Sequence, residues 1–299
     1  MRGRYDSAAA ASAILLILLA GCVQARPERP EGGWKLVVLG VAQDGGMPHA
    51  GCARPPCSEV RAGKRRPERV SCLGLVNREF GAAWLFDATP DFPAQLHALT
   101  GGRPPAGIFL THGHIGHYTG LMHLGKEAMA ASAVPVYATA RMEEFLERNG
   151  PWSLLVSDQH LAIRRLTPDQ AVELPGGVKV TPMTVPHRDE FTDTLGFLIE
   201  GPRRKALFIP DIDRWEKWER PLARVAAGAD YAFLDGTFGS LDELPQRDLS
   251  KVRHPLMSET RELMKGSPAQ LFFIHLNHSN PELTGQRRDV AREGMELPM

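Results

Sequence analysis

Short apolar runs rich in β-branched residues recur from Trp34 onward, each stopped by glycine, proline or a polar side chain. The first, Trp34–Ala42, reads as a strand and ends in Gln43-Asp44-Gly45-Gly46-Met47-Pro48-His49, where the glycines permit sharp turns. Similar runs predict strands near Cys72–Asn77, Ala83–Asp87 and Ile108–Leu110, with a short helix over Pro90–Leu99. The second half repeats the rhythm, with strands at Val178–Val185, Leu195–Ile199, Lys205–Ile209, Tyr231–Leu234 and Leu271–Ile274. Helical stretches are expected at Trp215–Ala227, Leu256–Lys265 and Gly285–Glu293. Strands in groups, with helices between and after them, suit two sheets with helices outside. Periodicity alone gives a single mixed α and β domain.

The N-terminal pattern is of another kind. Arg2 and Arg4 precede an apolar stretch, Ala8–Ala20, that ends Leu19-Ala20-Gly21-Cys22. A basic start, a short apolar core and small residues before a cut describe a secretory signal. The Leu-Ala-Gly-Cys ending resembles the bacterial lipoprotein box, which implies that Cys22 becomes the lipid-modified first residue of the mature chain. An ordinary signal peptide or a short membrane anchor is the alternative. Residues 1–21 are therefore expected to be a lipoprotein-type signal, 22–33 a tether containing Pro27 and Pro30, and 34–299 one large domain. This reading expects an exported protein on the periplasmic side, held to the bacterial membrane by its N-terminal lipid.

Composition narrows the partners. With 35 basic and 35 acidic side chains the formal charge is zero, so there is no electrostatic case for nucleic acid. A small-molecule substrate is expected instead. Lipidation of Cys22 would leave Cys52, Cys57 and Cys72, an odd number that argues against a complete disulfide framework and for metal thiolates. A Cys52–Cys57 disulfide stays open.

The densest chemistry lies in Thr111-His112-Gly113-His114-Ile115-Gly116-His117, directly after the apolar run Ala106–Leu110. Neutral imidazole is the commonest protein ligand for zinc, and convergent rings at a strand end make a site. His187, Asp211 and His275 also stand where apolar strands stop. The cluster resembles the H-x-H-x-D-H signature of the metallo-β-lactamase fold superfamily, with Gly116 where that family has Asp. The resemblance implies an αββα sandwich with the site at one edge of its two sheets. It further implies a first metal at His112, His114 and His187, and a second at His117, Asp211 and His275 with Asp211 bridging. Gly116 weakens the second. Zinc is the expected metal, with iron or manganese compatible with the same N/O ligands. A metal so held lowers the pKa of its water toward ~7, giving a hydroxide nucleophile.

A second cluster combines His49, Cys52 and Cys57 with His278, three residues past His275. Thiolates with imidazole make a closed structural zinc site. The layout resembles the cyclic phosphodiesterases of phosphonate degradation, whose third loop cysteine is here replaced by His49, with Cys72 a second candidate. Free or disulfide-bonded cysteines are the alternative. His254, in Arg253-His254-Pro255, matches the region where related phosphodiesterases carry a leaving-group acid, and Asp235 ends the strand before it, placed to hold that His or the substrate. Asp44 and Asp213 read as turn and cap residues.

The Gly-Gly-x-Pro loop, Asp189–Phe197, Asp235-Gly236-Thr237-Phe238 and Asn280-Pro281 resemble the B-protein family of pyrroloquinoline quinone biosynthesis. That family is associated with iron-dependent oxidative maturation of a peptide-derived quinone precursor. Three functions follow as expectations. The first is a metal-dependent hydrolase of an ester or phosphodiester; the others are an iron-dependent oxidative enzyme and a non-catalytic binding lipoprotein.

Overall fold

The β-branched runs pair into two mixed sheets. They are seen in a computed structural model that describes Met1 and residues 33–243 and 252–299. The segment expected to be signal and tether, Cys22 included, lies outside the described residues apart from Met1 and Gly33. The first sheet uses β1 (Trp34–Gly40), β2 (Cys72–Asn77), β3 (Ala82–Phe86), β4 (Gly107–Phe109), β5 (Val134–Ala138) and β6 (Leu161–Arg165). The second uses β7 (Val172–Leu174), β8 (Val178–Thr184), β9 (Leu195–Glu200), β10 (Lys205–Ile209), β11 (Tyr231–Asp235) and β12 (Gln270–Ile274). A last strand, β13 (Glu296–Pro298), joins the first sheet beside β1, giving the order β13-β1-β2-β3-β4-β5-β6. The other order is β12-β11-β10-β9-β8-β7. Antiparallel pairs dominate one end of each sheet, while β3-β4-β5-β6 and β10-β11-β12 run parallel.

Alternation along each strand builds the layers. In β3, Trp84 and Phe86 point into the space between the sheets, where Phe86 meets Phe197 (5.6 Å) and Phe208 (6.1 Å). Ala83 and Leu85 point the other way, against Phe92 and Leu96 of the helix Phe92–Thr100. Across the molecule, Leu207, Ile209 and Leu234 pack outward against Trp215, Trp218 and Leu222. The result is the metallo-β-lactamase fold, two mixed sheets between helices. Central strands covered on both faces explain why they read as continuous apolar runs.

Two expected helices differ. Trp215–Ala227 is interrupted: a 3₁₀ turn at Trp215–Lys217 is followed, after Pro221, by a helix only at Leu222–Ala226. Pro221 lacks the N–H that a continuous helix would need. Gly285–Glu293 is not helical. Val290 bridges to Phe273 of β12, and Val290 and Ala291 are buried while the charged residues before them point out. Two adjacent apolar residues make no helical stripe. Among the described residues no helix is long and apolar enough to cross a membrane.

Candidate metal centre

The segments that follow β1, β3, β4, β8, β10, β11 and β12 supply Asp44, Asp87, the His112–His117 loop, His187, Asp211, Thr237 and His275, and these converge at one edge of the sandwich. His112, His114 and His187 form one group of potential ligand atoms, all within 4.8 Å of one another. Asp44, His117, Asp211 and His275 form a second. Asp211 lies between the groups: its Oδ2 is 2.9 Å from His117 Nε2, 3.2 Å from His275 Nε2 and 3.6 Å from His112 Nε2, and its Oδ1 is 4.0 Å from His187 Nε2.

Four of the five rings are fixed by a hydrogen bond from the outer nitrogen, which aims the inner one. His117 Nδ1 donates to Asp87 Oδ2 (2.7 Å), and His114 Nε2 donates to Glu190 Oε2 (3.0 Å). His112 Nδ1 donates to Thr111 Oγ1 (3.0 Å), whose hydroxyl donates to Asp87 Oδ1 (2.9 Å). His275 Nδ1 donates to Thr237 Oγ1 (3.1 Å), whose hydroxyl donates to Asp235 Oδ1 (2.8 Å). His187 Nδ1 lies 3.5 Å from Asp213 Oδ1. Outer partners of this kind set the tautomer of metal-ligating histidines.

Most inner atoms are left without partners, while His112 Nε2 and His114 Nδ1, both lone-pair atoms in these tautomers, face each other at 2.8 Å. Asp44 Oδ1, His117 Nε2, His187 Nε2, Asp211 Oδ1 and His275 Nε2 are buried and make no hydrogen bond in the structure. Buried polar atoms without partners are costly, and here they converge. Charge points the same way. Burial alone would raise the Asp211 carboxyl, but His275, His187 and His117 hold it well below the usual range. Burial opposes charge on His117, yet Asp87, Asp211 and Asp44 hold it well above the ordinary imidazole value. By contrast burial, with His117 beside it, keeps His112 well below that value and so neutral, which is the ligating form. Buried carboxylates that draw positive charge onto His117, beside a neutral His112, fit a bound cation. Two non-glycine residues carry left-handed backbone here, Asp87 (φ 73°) and His275 (φ 64°). Such conformations are costly and cluster at functional sites.

His254 and Asp235 stand at the rim of this cluster. His254 Nδ1 donates to Asp235 Oδ2 (2.8 Å), and Nε2 takes no protein hydrogen bond among the described residues. Burial disfavours charge on His254, but Asp235 and Asp211 outweigh it and raise its pKa. Asp235 is fully buried and also accepts the backbone N–H groups of Ile212 (3.1 Å) and Thr237 (2.9 Å), so it positions His254 and does not face a substrate.

The other cluster assembles with three of its four expected members. Cys52, Cys57 and His278 bring their ligand atoms within 4.8 Å of one another, and the cysteines are separate thiols. His49 does not join them. Its ring stacks on His278 at 4.2 Å, its Nδ1 bonds the Ala50 carbonyl at 2.9 Å, and only its backbone N–H reaches Cys57 Sγ (3.3 Å). Cys72 is fully buried beside the Asp87 carbonyl, outside this group.

Four residues that bear on the site escape the sequence reading. Asp87 ends an apolar strand just as Asp211 does, and that signal could have found it. Glu190 carries no local signal. Asp213, read as a cap, instead sits by His187 and is neutralised by Lys217 (3.1 Å) and Arg253 (3.0 Å). Asp44, read as a turn residue, points into the cluster.

Comparison with known proteins shows the family and agrees with the fold. Residues 83–276 match the family described as "Beta-lactamase superfamily domain". The chain belongs to the β-lactamase superfamily. It is similar to coenzyme PQQ synthesis protein B of Ruegeria pomeroyi, at 27% identity over 88% of this chain and 97% of that protein. Among solved structures it resembles zinc-bound PqqB from Methylobacterium extorquens, with TM-score 0.75 and 23% identity over 89% of this chain and 100% of that one. It also resembles a diphosphatase of the PhnP family, with TM-score 0.66 and 23% identity over 88% of this chain and 96% of that one.

Proposed function

We propose that this protein is a metal-dependent hydrolase that cleaves an ester or phosphodiester bond of a small molecule. The observation that carries the reading is the set of convergent inward ligand atoms, most of them unpartnered, with an Asp-held histidine beside them. A cation held by His112, His114, His187 and Asp211 would supply a low-pKa water and a Lewis acid at neutral pH. Thr111, Glu190 and Asp213 keep those rings aimed, which spares reorganisation during reaction. His254, held through Nδ1 by Asp235, presents Nε2 as the donor to a departing alkoxide.

One specific observation favours a second reading. The similar proteins are coenzyme PQQ synthesis proteins B over most of their length, and the same N/O donors suit iron. In that reading the site supports an oxidative reaction and His254 serves as a proton donor or acceptor. Metal analysis of the purified full-length chain and of a His112→Ala variant separates the two. Zinc or manganese lost in the variant, with turnover in an ester and phosphodiester screen, supports the hydrolase. Iron lost in the variant, with dioxygen uptake, supports the oxidative enzyme. No metal lost in the variant rejects both and favours a binding role. Export and lipid attachment at Cys22 belong to the same proposal, resting on the N-terminal sequence pattern alone.

A further inference from the structure

In the H-x-H-x-D-H pattern the carboxylate sits beside the third histidine, and in this chain that position is Gly116. The volume it would need is taken. A Cβ on Gly116 would lie 2.6 Å from Asp44 Cα and 2.9 Å from Asp44 Cβ, and it would overlap Asp44 Oδ1. The loop after β1 therefore passes where a side chain at 116 would begin, and it places its own carboxylate there. Asp44 Oδ1 lies 3.2 Å from His117 Nε2 and 3.6 Å from His275 Nε2. It is buried and accepts no hydrogen bond. A turn-capping Asp would accept a backbone N–H; this oxygen does not.

We propose that Asp44 and Gly116 are an exchanged pair. The carboxylate that completes the second metal position has moved from the histidine loop to the loop after β1. The second position is then Asp44, His117, Asp211 and His275, and it holds a cation of its own beside the first. The proposal rests on the reading that the histidine cluster binds metal. It replaces the expectation that Gly116 leaves the second position weak. Loss of the motif's Asp and gain of Asp44 become one structural change, because the two side chains cannot both occupy that volume.

The test is cobalt(II) titration of the metal-free full-length chain. A thiolate-to-cobalt charge-transfer band reports the cysteine cluster separately from N/O-ligated ions, and electron paramagnetic resonance reports coupling between neighbouring ions. The proteins compared are wild type, Asp44→Gly, the double variant Asp44→Gly/Gly116→Asp, and His112→Ala. Wild type is expected to take up two coupled N/O-ligated ions. Asp44→Gly should weaken one of them by at least the roughly 10–100-fold seen when outer-shell partners are lost. The double variant should recover part of it: the carboxylate returns from the neighbouring backbone, with the loop shifting to relieve the 2.6 Å approach of the residue-44 Cα. Asp44→Gly that keeps both ions at unchanged affinity overturns the exchange. So does a wild type with a single N/O-ligated ion that His112→Ala removes, although the functional reading then stands. A wild type with no N/O-ligated ion rejects both. If Asp44→Gly does not fold, the double variant decides: folded by circular dichroism but with one ion, it overturns the proposal.

Discussion

His275 and His278 stand three residues apart on the segment after β12 and face different clusters. His275 Nε2 lies 3.2 Å from Asp211, while His278 closes on Cys52 and Cys57. The loop after β1 does the same, with Asp44 at one cluster and Cys52 and Cys57 at the other. Two short segments thus thread both groups of ligands. A cation on the thiolates would pin the loops that carry Asp44 and His275.

His278→Ala is therefore expected to reduce the protein's response to zinc at little intrinsic cost, since His278 is only half-buried. A thousandfold excess of free zinc over the dissociation constant stabilises a folded site by about 4 kcal/mol. Thermal unfolding across a zinc series, wild type against variant, measures how much of that is lost. Identical midpoints at every zinc level would dismiss the cysteine cluster as a metal site.

Asp87 is the anchor of the histidine loop. It accepts from His117 Nδ1 (2.7 Å), Thr111 N–H (2.8 Å) and the Thr111 hydroxyl (2.9 Å), and it does so at φ 73°. Asp87→Ala leaves buried donors unpaired, at about 1–3 kcal/mol each, and places an ill-suited residue in left-handed backbone. Asp87→Asn keeps the shape and tolerates that backbone but loses the charge. The expected order in urea denaturation is wild type above Asn above Ala, with metal affinity reduced about 10–100-fold in Asp87→Asn. Unchanged affinity in a folded Asp87→Asn would show that His117 needs no carboxylate behind it.

What was legible in the sequence was what is local. His112, His114 and His117 fall within six positions after one strand, and Asp211 and His275 each end an apolar run, so spacing and position reveal them. Asp44 was not legible, because its role depends on a backbone approach to Gly116 that is distant in sequence. The fold divides the same way. Central strands such as β10 and β11 are buried on both faces and read clearly, and so does the apolar edge strand β12, whereas the edge strands β6, β7 and β13 do not. β6 ends in exposed Arg164 and Arg165, β7 has three residues, and β13 contains Pro298. Charges, short length and proline are how edges avoid pairing with other chains, and they also hide an edge strand from a hydrophobic pattern.

The crowding at Gly116 can be measured without any metal. Gly116→Ala puts a methyl group 2.6 Å from Asp44 Cα, too close to be relieved by side-chain rotation. Overpacking of this kind costs about 1–3 kcal/mol. In an Asp44→Gly background the overlaps with the Asp44 Cβ and carboxylate disappear and the loop gains freedom to shift, so the cost should shrink. A double-mutant cycle in urea gives the coupling between the two positions. Strict additivity would place them out of contact.

The N-terminal expectation has its own check. Cys22→Ser in the full-length chain is expected to abolish incorporation of labelled fatty acid and to move the protein from the membrane fraction to the soluble fraction of a bacterial host. Lipid attachment needs the thiol as nucleophile, and serine does not replace it. Equal membrane association of both proteins, with no label in either, would reduce the N-terminus to an ordinary signal or anchor.

His254 bears the most direct test of the hydrolytic chemistry. Its Nδ1 is committed to Asp235, which leaves Nε2 to meet a leaving group. A positioned general acid contributes about 10²–10⁴-fold to rate, but only where the leaving group needs a proton. His254→Ala should therefore lower kcat by about that factor on a diester with an alkyl leaving group. On bis(p-nitrophenyl) phosphate, which expels a stable phenolate, the loss should be small. Asp235→Asn should reproduce the same leaving-group dependence more weakly, because the ring remains but its orientation and charge are less well held. The comparison is made as kcat for both substrates in all three proteins at one metal loading. An equal loss on both substrates would assign His254 to metal or substrate binding instead of proton donation, and would remove the acid from the mechanism.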